Sequence, residues 1–188
     1  MTNHTHGEPA ETFSREDLLV LLRETEAPIV FIPPHKEAKK LKIKNKLFVR
    51  FDGVHDEFIR AEFFGAEIAG KMSPVQDCEM LDGYYFCYKN MADAVVETLI
   101  EMLGEISLIR KYRVSEGCHP HCTKAKASTW IDCTCPCLGA GHKSALGLTR
   151  EEFPFEILHS RKSDWSDNGN GLSFSTIGRK RRGEGFCA

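Results

Sequence analysis

The sequence predicts an α+β domain: an antiparallel sheet with two helices, and a zinc knuckle in the C-terminal half. Three observations carry that expectation. Several short stretches alternate apolar and polar residues between Pro, Gly and Asp punctuation, as strands do. Two stretches repeat their apolar residues at helical spacing. Residues 118–142, CHPHCTKAKASTWIDCTCPCLGAGH, hold five of the eight cysteines and three of the eight histidines. At 188 residues the chain is long enough to bury a core unaided, so cysteine staples are not needed throughout.

The elements follow in order. Residues 1–13 are polar and read as a flexible N-terminus. SREDLLVLLRETE opens a helix at Ser14, with Asp17 three residues on in the capping-box position and Leu18, Leu19, Leu21 and Leu22 as its apolar stripe. PIVFIP (28–33) is a buried strand stopped by Pro33-Pro34. In KKLKIKNKLFVRF (39–51), Leu41, Ile43, Leu47, Val49 and Phe51 share one side, and Lys40, Lys42, Lys44, Lys46 and Arg50 the other. Such a stripe either protects an edge strand from pairing or contacts phosphates. After the turn DGVHDE, EFIRAEFFG (57–65) reads as a strand. DGYYFCYKN (82–90) is another, with Tyr84, Phe86 and Tyr88 opposite Tyr85 and Cys87.

Asn90 stands where it can cap a helix from Met91 to about Arg110. Val95, Leu99, Met102, Leu103, Ile106 and Ile109 line its core face, and Asp93, Glu97, Glu101 and Glu105 a solvated one. FPFEIL (153–158) and LSFSTIGR (172–179) are the last strands, joined through the turn-forming SDWSDNGNG. The expected organisation is a core over 14–110, a metal-knuckle region with the completing strands over 111–178, and a basic tail over 179–188.

Net charge is −2 but uneven. Residues 37–50 hold six basic side chains and one acidic, residues 51–109 three and twelve, and residues 110–188 thirteen and eight. The cysteine-rich part is therefore cationic and the middle anionic. No long apolar run and no charged-then-apolar leader occur, so the expected compartment is the cytoplasm, with no membrane partner. Thiols stay reduced there, and clustered cysteines bind metal more often than they form disulfides.

Zinc needs four soft or borderline ligands from two neighbouring turns. Cys118 and Cys122 supply one pair, and Cys133, Cys135 and Cys137 a second group, with His142 as a further donor. The first ligand set is Cys118, Cys122, Cys133 and Cys137; Cys135 and His142 are substitutes. Pro120, Pro136, Gly139 and Gly141 mark the tight turns a knuckle requires. An iron–sulfur cluster is the alternative cofactor, disfavoured by the interleaved histidines and by the absence of a C-x2-C-x2-C run. Cys78 and Cys87 read as core or near-core thiols, and Cys187 sits in the tail.

A zinc-deaminase reading fails. His55-Asp56-Glu57 imitates H-x-E, but Ala140 stands where P-C-x-x-C needs its second cysteine. No Walker, dinucleotide-binding, nucleophile-elbow or H-E-x-x-H motif occurs, so the expectation leans against an enzyme. The favoured reading is an accessory or regulatory protein that binds nucleic acid or a nucleic-acid-handling complex. Its candidate contacts are Lys40, Lys42, Lys44, Lys124, Lys126, Trp130 and Lys143, then Arg179, Lys180, Arg181 and Arg182. The alternatives are an inhibitor or adaptor docking on a protein through the acidic middle, and a metal-dependent enzyme.

The pattern C-x3-C, a spacer, then C-x-C-x-C-x-G-x-x-H, carried by Cys118, Cys122, Cys133, Cys135, Cys137, Gly139 and His142, resembles a cysteine-rich motif of small uncharacterised bacterial and phage proteins. Leu138 and Lys143 depart from the glycines those proteins usually show there. The resemblance spans about 25 residues and implies a metal site, with no activity attached.

Overall fold

Four consecutive apolar residues, Ile29 to Ile32, are all buried, which requires cover on both faces of the strand they form. The computed structural model describes residues 11–33, 45–76, 78–113, 155–167 and 169–179. In chain order its elements are β1 (Thr12–Phe13), α1 (Arg15–Glu24), β2 (Ile29–Ile32), β3 (Lys46–Arg50), α2 (Glu57–Ala69), β4 (Ser73–Pro74), β5 (Tyr85–Tyr88), α3 (Ala92–Leu103), β6 (Glu105–Arg113), β7 (Phe155–Ser163) and β8 (Asn170–Arg179). The strands form one eight-stranded sheet in the order β1-β7-β8-β6-β2-β3-β5-β4.

That sheet is mixed, which corrects the antiparallel expectation. β2 runs parallel to β6, from Ile29↔Ser107 to Ile32↔Arg110, and β1 runs parallel to β7. The other pairs are antiparallel. Val30 and Ile32 face a core shared with Leu47, Val49, Ile106 and Leu108, over which Phe64 of α2 and Val95, Val96, Leu99 and Ile100 of α3 close. Ile29 and Phe31 face the opposite core, with Phe13, Phe48, Tyr84, Ile109 and Phe174, over which Leu22 of α1 closes. Helices therefore cover both faces, and there are three rather than two among the described residues.

Three local expectations change for physical reasons. Residues 57–65 are helical: Asp56 accepts hydrogen bonds from the N–H groups of Phe58 (2.7 Å) and Ile59 (3.2 Å), and this cap outweighs the strand preference of the aromatic residues. Gly65, at φ 73°, kinks that helix. The predicted helix 91–110 stops at Leu103, because Gly104 adopts φ 87° and turns the chain directly into β6. Met91, not Asn90, is its cap residue, and no side chain caps it. Finally, β3 lies between β2 and β5, so Lys46 and Arg50 do not protect an edge.

The first helix forms as read. Ser14 N–H donates to Asp17 Oδ2 (2.8 Å) and Asp17 N–H to Ser14 Oγ (3.2 Å). Donation from Ser14, its backbone N–H first, holds the Asp17 carboxyl below its ordinary range. The last carbonyls of a helix lack internal partners. Here Leu21 O accepts from Thr25 Oγ1 (2.6 Å), Leu22 O from Tyr84 Oη (2.6 Å), and Arg23 O and Thr25 O from the Arg50 guanidinium (2.9 and 2.7 Å). The sheet thus clasps α1 through β3 and the residue before β5. Among the described residues, no helix is long and apolar enough to cross a membrane.

Tyr84 is 1% exposed, and burial raises its phenol well above the ordinary tyrosine range. Tyr84→Phe strands the buried Leu22 carbonyl and is expected to lower unfolding free energy by about 1–3 kcal/mol in a denaturant titration.

Candidate nucleic-acid interface

The strand directions create one special edge. β1, β2, β5, β6 and β7 all end there, and β3 and β8 begin there. Ligands of open sheets with parallel strands gather beyond the carboxyl ends of those strands. At this edge Ile32 lies across from Arg110, and the next residue, Pro33, leads into segment 34–44 with its lysines. The chain returns at Asn45, whose left-handed φ of 62° turns it into β3. Lys89 N–H then donates to Asn45 O (2.9 Å), tying the entry of β3 to the exit of β5. β6 delivers Arg113 to the same edge, with Cys118 five residues further along the sequence.

Three cation–aromatic pairs stand at this edge. Lys46 Nζ lies 3.5 Å from the centre of the Phe86 ring, and Lys162 Nζ 5.4 Å from that of Tyr112. The Arg15 guanidinium lies 5.7 Å from the centre of Trp165, which meets Phe13 edge-on at 5.5 Å. Each pair sets a cation against a ring; by register, Lys46–Phe86 and Lys162–Tyr112 lie on opposite faces of the sheet. Lys111 and Arg113, two residues apart on β6, add charge. Arg110 is 2% exposed, and its carbonyl accepts from Ser173 Oγ (3.3 Å).

Cys118, Cys122, Cys133, Cys135, Cys137 and His142 lie outside the described residues, as do Lys40, Lys42, Lys44, Lys124, Lys126, Trp130, Lys143, Lys180, Arg181 and Arg182. Only Arg179 of the predicted site residues is described. It pairs with Glu101 at 3.0 Å, both side chains well exposed. Arg179 closes β8, about 30 Å along the strand from the edge where that strand begins. The basic tail and the lysine segment therefore start from opposite edges. Sequence reasoning did not single out Arg15, Tyr112, Lys162 or Trp165, because each pair depends on which strand lies beside which.

The opposite edge holds a cleft of about 820 Å³ lined by Arg23, Arg50, Val75, Cys78, Glu79 and Asp82. Its arginines are engaged: Arg23 pairs with Glu79 at 2.9 Å, and Arg50 clasps α1. Of the H-x-E residues, Asp56 caps α2 and His55 packs edge-on against Tyr85 at 5.5 Å, so this stretch is a helix start. Among the described residues no three His, Cys, Asp or Glu side chains are grouped to hold a metal. Compared with protein-family models, curated proteins and solved structures, the chain matches none.

Cys78 and Cys87 are free thiols of unequal access. Cys87 is 1% exposed, and burial pushes its thiol up to about 12. Since the thiolate is the reactive form, iodoacetamide should alkylate Cys78 in the native protein and Cys87 only after unfolding, as read by peptide mass mapping.

Proposed function

We propose that the chain is a zinc-stabilised nucleic-acid-binding protein with an accessory or regulatory role in a nucleic-acid-handling complex. One observation carries the reading: adjacent parallel strands β2 and β6 lead, at one edge of the sheet, into the lysine-rich segment and the cysteine window respectively. The cation–aromatic pairs at that edge support it.

The chemistry is simple. Thiolates from Cys118, Cys122, Cys133 and Cys137, with Cys135 and His142 as substitute donors, suit a closed tetrahedral zinc site, which stabilises its own loop and does no catalysis. Lysines beside it displace counterions from phosphates, so affinity falls with salt in proportion to the contacts made.

Elemental analysis of the purified protein is expected to find zinc and not iron. Cys133→Ser or Cys137→Ser should release it. The log–log slope of oligonucleotide affinity against salt should be negative, and Lys40→Glu with Lys44→Glu should flatten it by about 1.4 for a single strand, without unfolding. Metal-free protein that keeps its stability in chelator, or affinity indifferent to salt, overturns the reading.

A further inference from the structure

The edge carries a feature that the lysine stripe does not explain. Tyr88 ends β5 and is 61% exposed, although its neighbours Tyr85 and Cys87 are 8% and 1% exposed. β3 and β5 pair Lys46 with Tyr88 and Phe48 with Phe86, so Lys46, Tyr88, Phe48 and Phe86 share one face of the sheet. Phe31, Phe48 and Phe86 continue across that face with ring centres 6.2 and 6.4 Å apart. This aromatic row begins in the core, and Tyr88, two residues after Phe86 on the same face, stands exposed beyond its end. Phe86 then serves as a rest for the Lys46 ammonium, at 3.5 Å from its ring centre. A lysine normally costs rotamer entropy when it binds. Here the Phe86 ring offers the ammonium a resting place before any ligand binds.

We propose that Tyr88 and Lys46 form a single-nucleotide station for single-stranded nucleic acid, with one base stacked on the Tyr88 ring and a neighbouring phosphate held by Lys46. The inference rests on the nucleic-acid reading above and narrows its ligand to unpaired strands. Two features select the single strand. An exposed aromatic ring offers a face to any base, and only an unpaired base can turn its own face to meet it. Directly opposed side chains on neighbouring strands stand about 5 Å apart, within reach of one nucleotide's base and phosphate together. Sequence continuity adds to this, because Lys40, Lys42 and Lys44 precede Lys46 at every second position.

Labelled oligothymidylate and a duplex of equal length, titrated with the full-length protein purified in zinc, test the proposal by fluorescence anisotropy. Tyr88→Ala is expected to weaken single-strand binding roughly 5- to 150-fold and to leave duplex binding unchanged. Tyr88→Phe keeps the ring and should retain wild-type affinity, and Lys46→Met should lower the single-strand salt slope by about 0.7. Tyr88 is largely exposed, so circular dichroism of the alanine variant should match wild type; if it does not, Tyr88→Gln replaces it. Unchanged single-strand affinity in Tyr88→Ala, or equal losses on single strand and duplex, overturns the station while the nucleic-acid reading stands. Failure of the wild type to bind either probe at low salt overturns both.

Discussion

The fold depends on burying the parallel pair β2 and β6 on both sides. β2 presents Val30 and Ile32 to one core and Ile29 and Phe31 to the other. Its backbone hydrogen bonds run to β6 and β3, so main chain and side chains alike are withdrawn from water. Such a strand has no exposed face, and the chain must supply helices for both. α1 covers one side, while α2 and α3 cover the other. Parallel pairing also forbids a tight hairpin between the two strands. The chain between β2 and β6 therefore contains β3, α2, β4, β5 and α3.

The same constraint sorts charge. α2 and α3 put Glu57, Glu62, Glu67, Glu97 and Glu101 at the surface of one helical layer, with Glu67 paired to Lys71 and Glu101 to Arg179. Cations concentrate instead where strands end, as Lys46, Lys111, Arg113 and Lys162. A net charge of −2 thus coexists with several cations at the ends of the sheet strands. The opposite edge is a structural joint, where Arg50 spends its donors on helix carbonyls and stacks 5.1 Å from the centre of Tyr84.

Legibility followed the range of the interactions involved. The Ser14–Asp17 capping box was readable because its partners are three residues apart. The last two strands were readable from the turn residues between them, though β7 runs on to Ser163, past the expected end at residue 158, and their pairing came from the structure. The alternation Tyr84, Phe86, Tyr88 against Tyr85, Cys87 was readable because the side-chain period of a strand is two. Misreadings arose where two periods fitted one string. Ile106 and Ile109 suit one face of a helix, and equally the two faces of a strand buried on both sides. Leu108 and Ile109, adjacent in sequence, indeed lie in opposite cores.

From the amino-acid string alone come the first helix, most strands, the crowding of thiols between residues 118 and 142, and the segregation of charge along the chain. These are local matters of composition, caps and periodicity. Only tertiary structure decided that the sheet is mixed, that β3 is interior, and that Lys46 and Tyr88 stand opposite one another. Strand order and register arise from long-range hydrogen bonding and from burial on two faces, and no window of neighbouring residues encodes either.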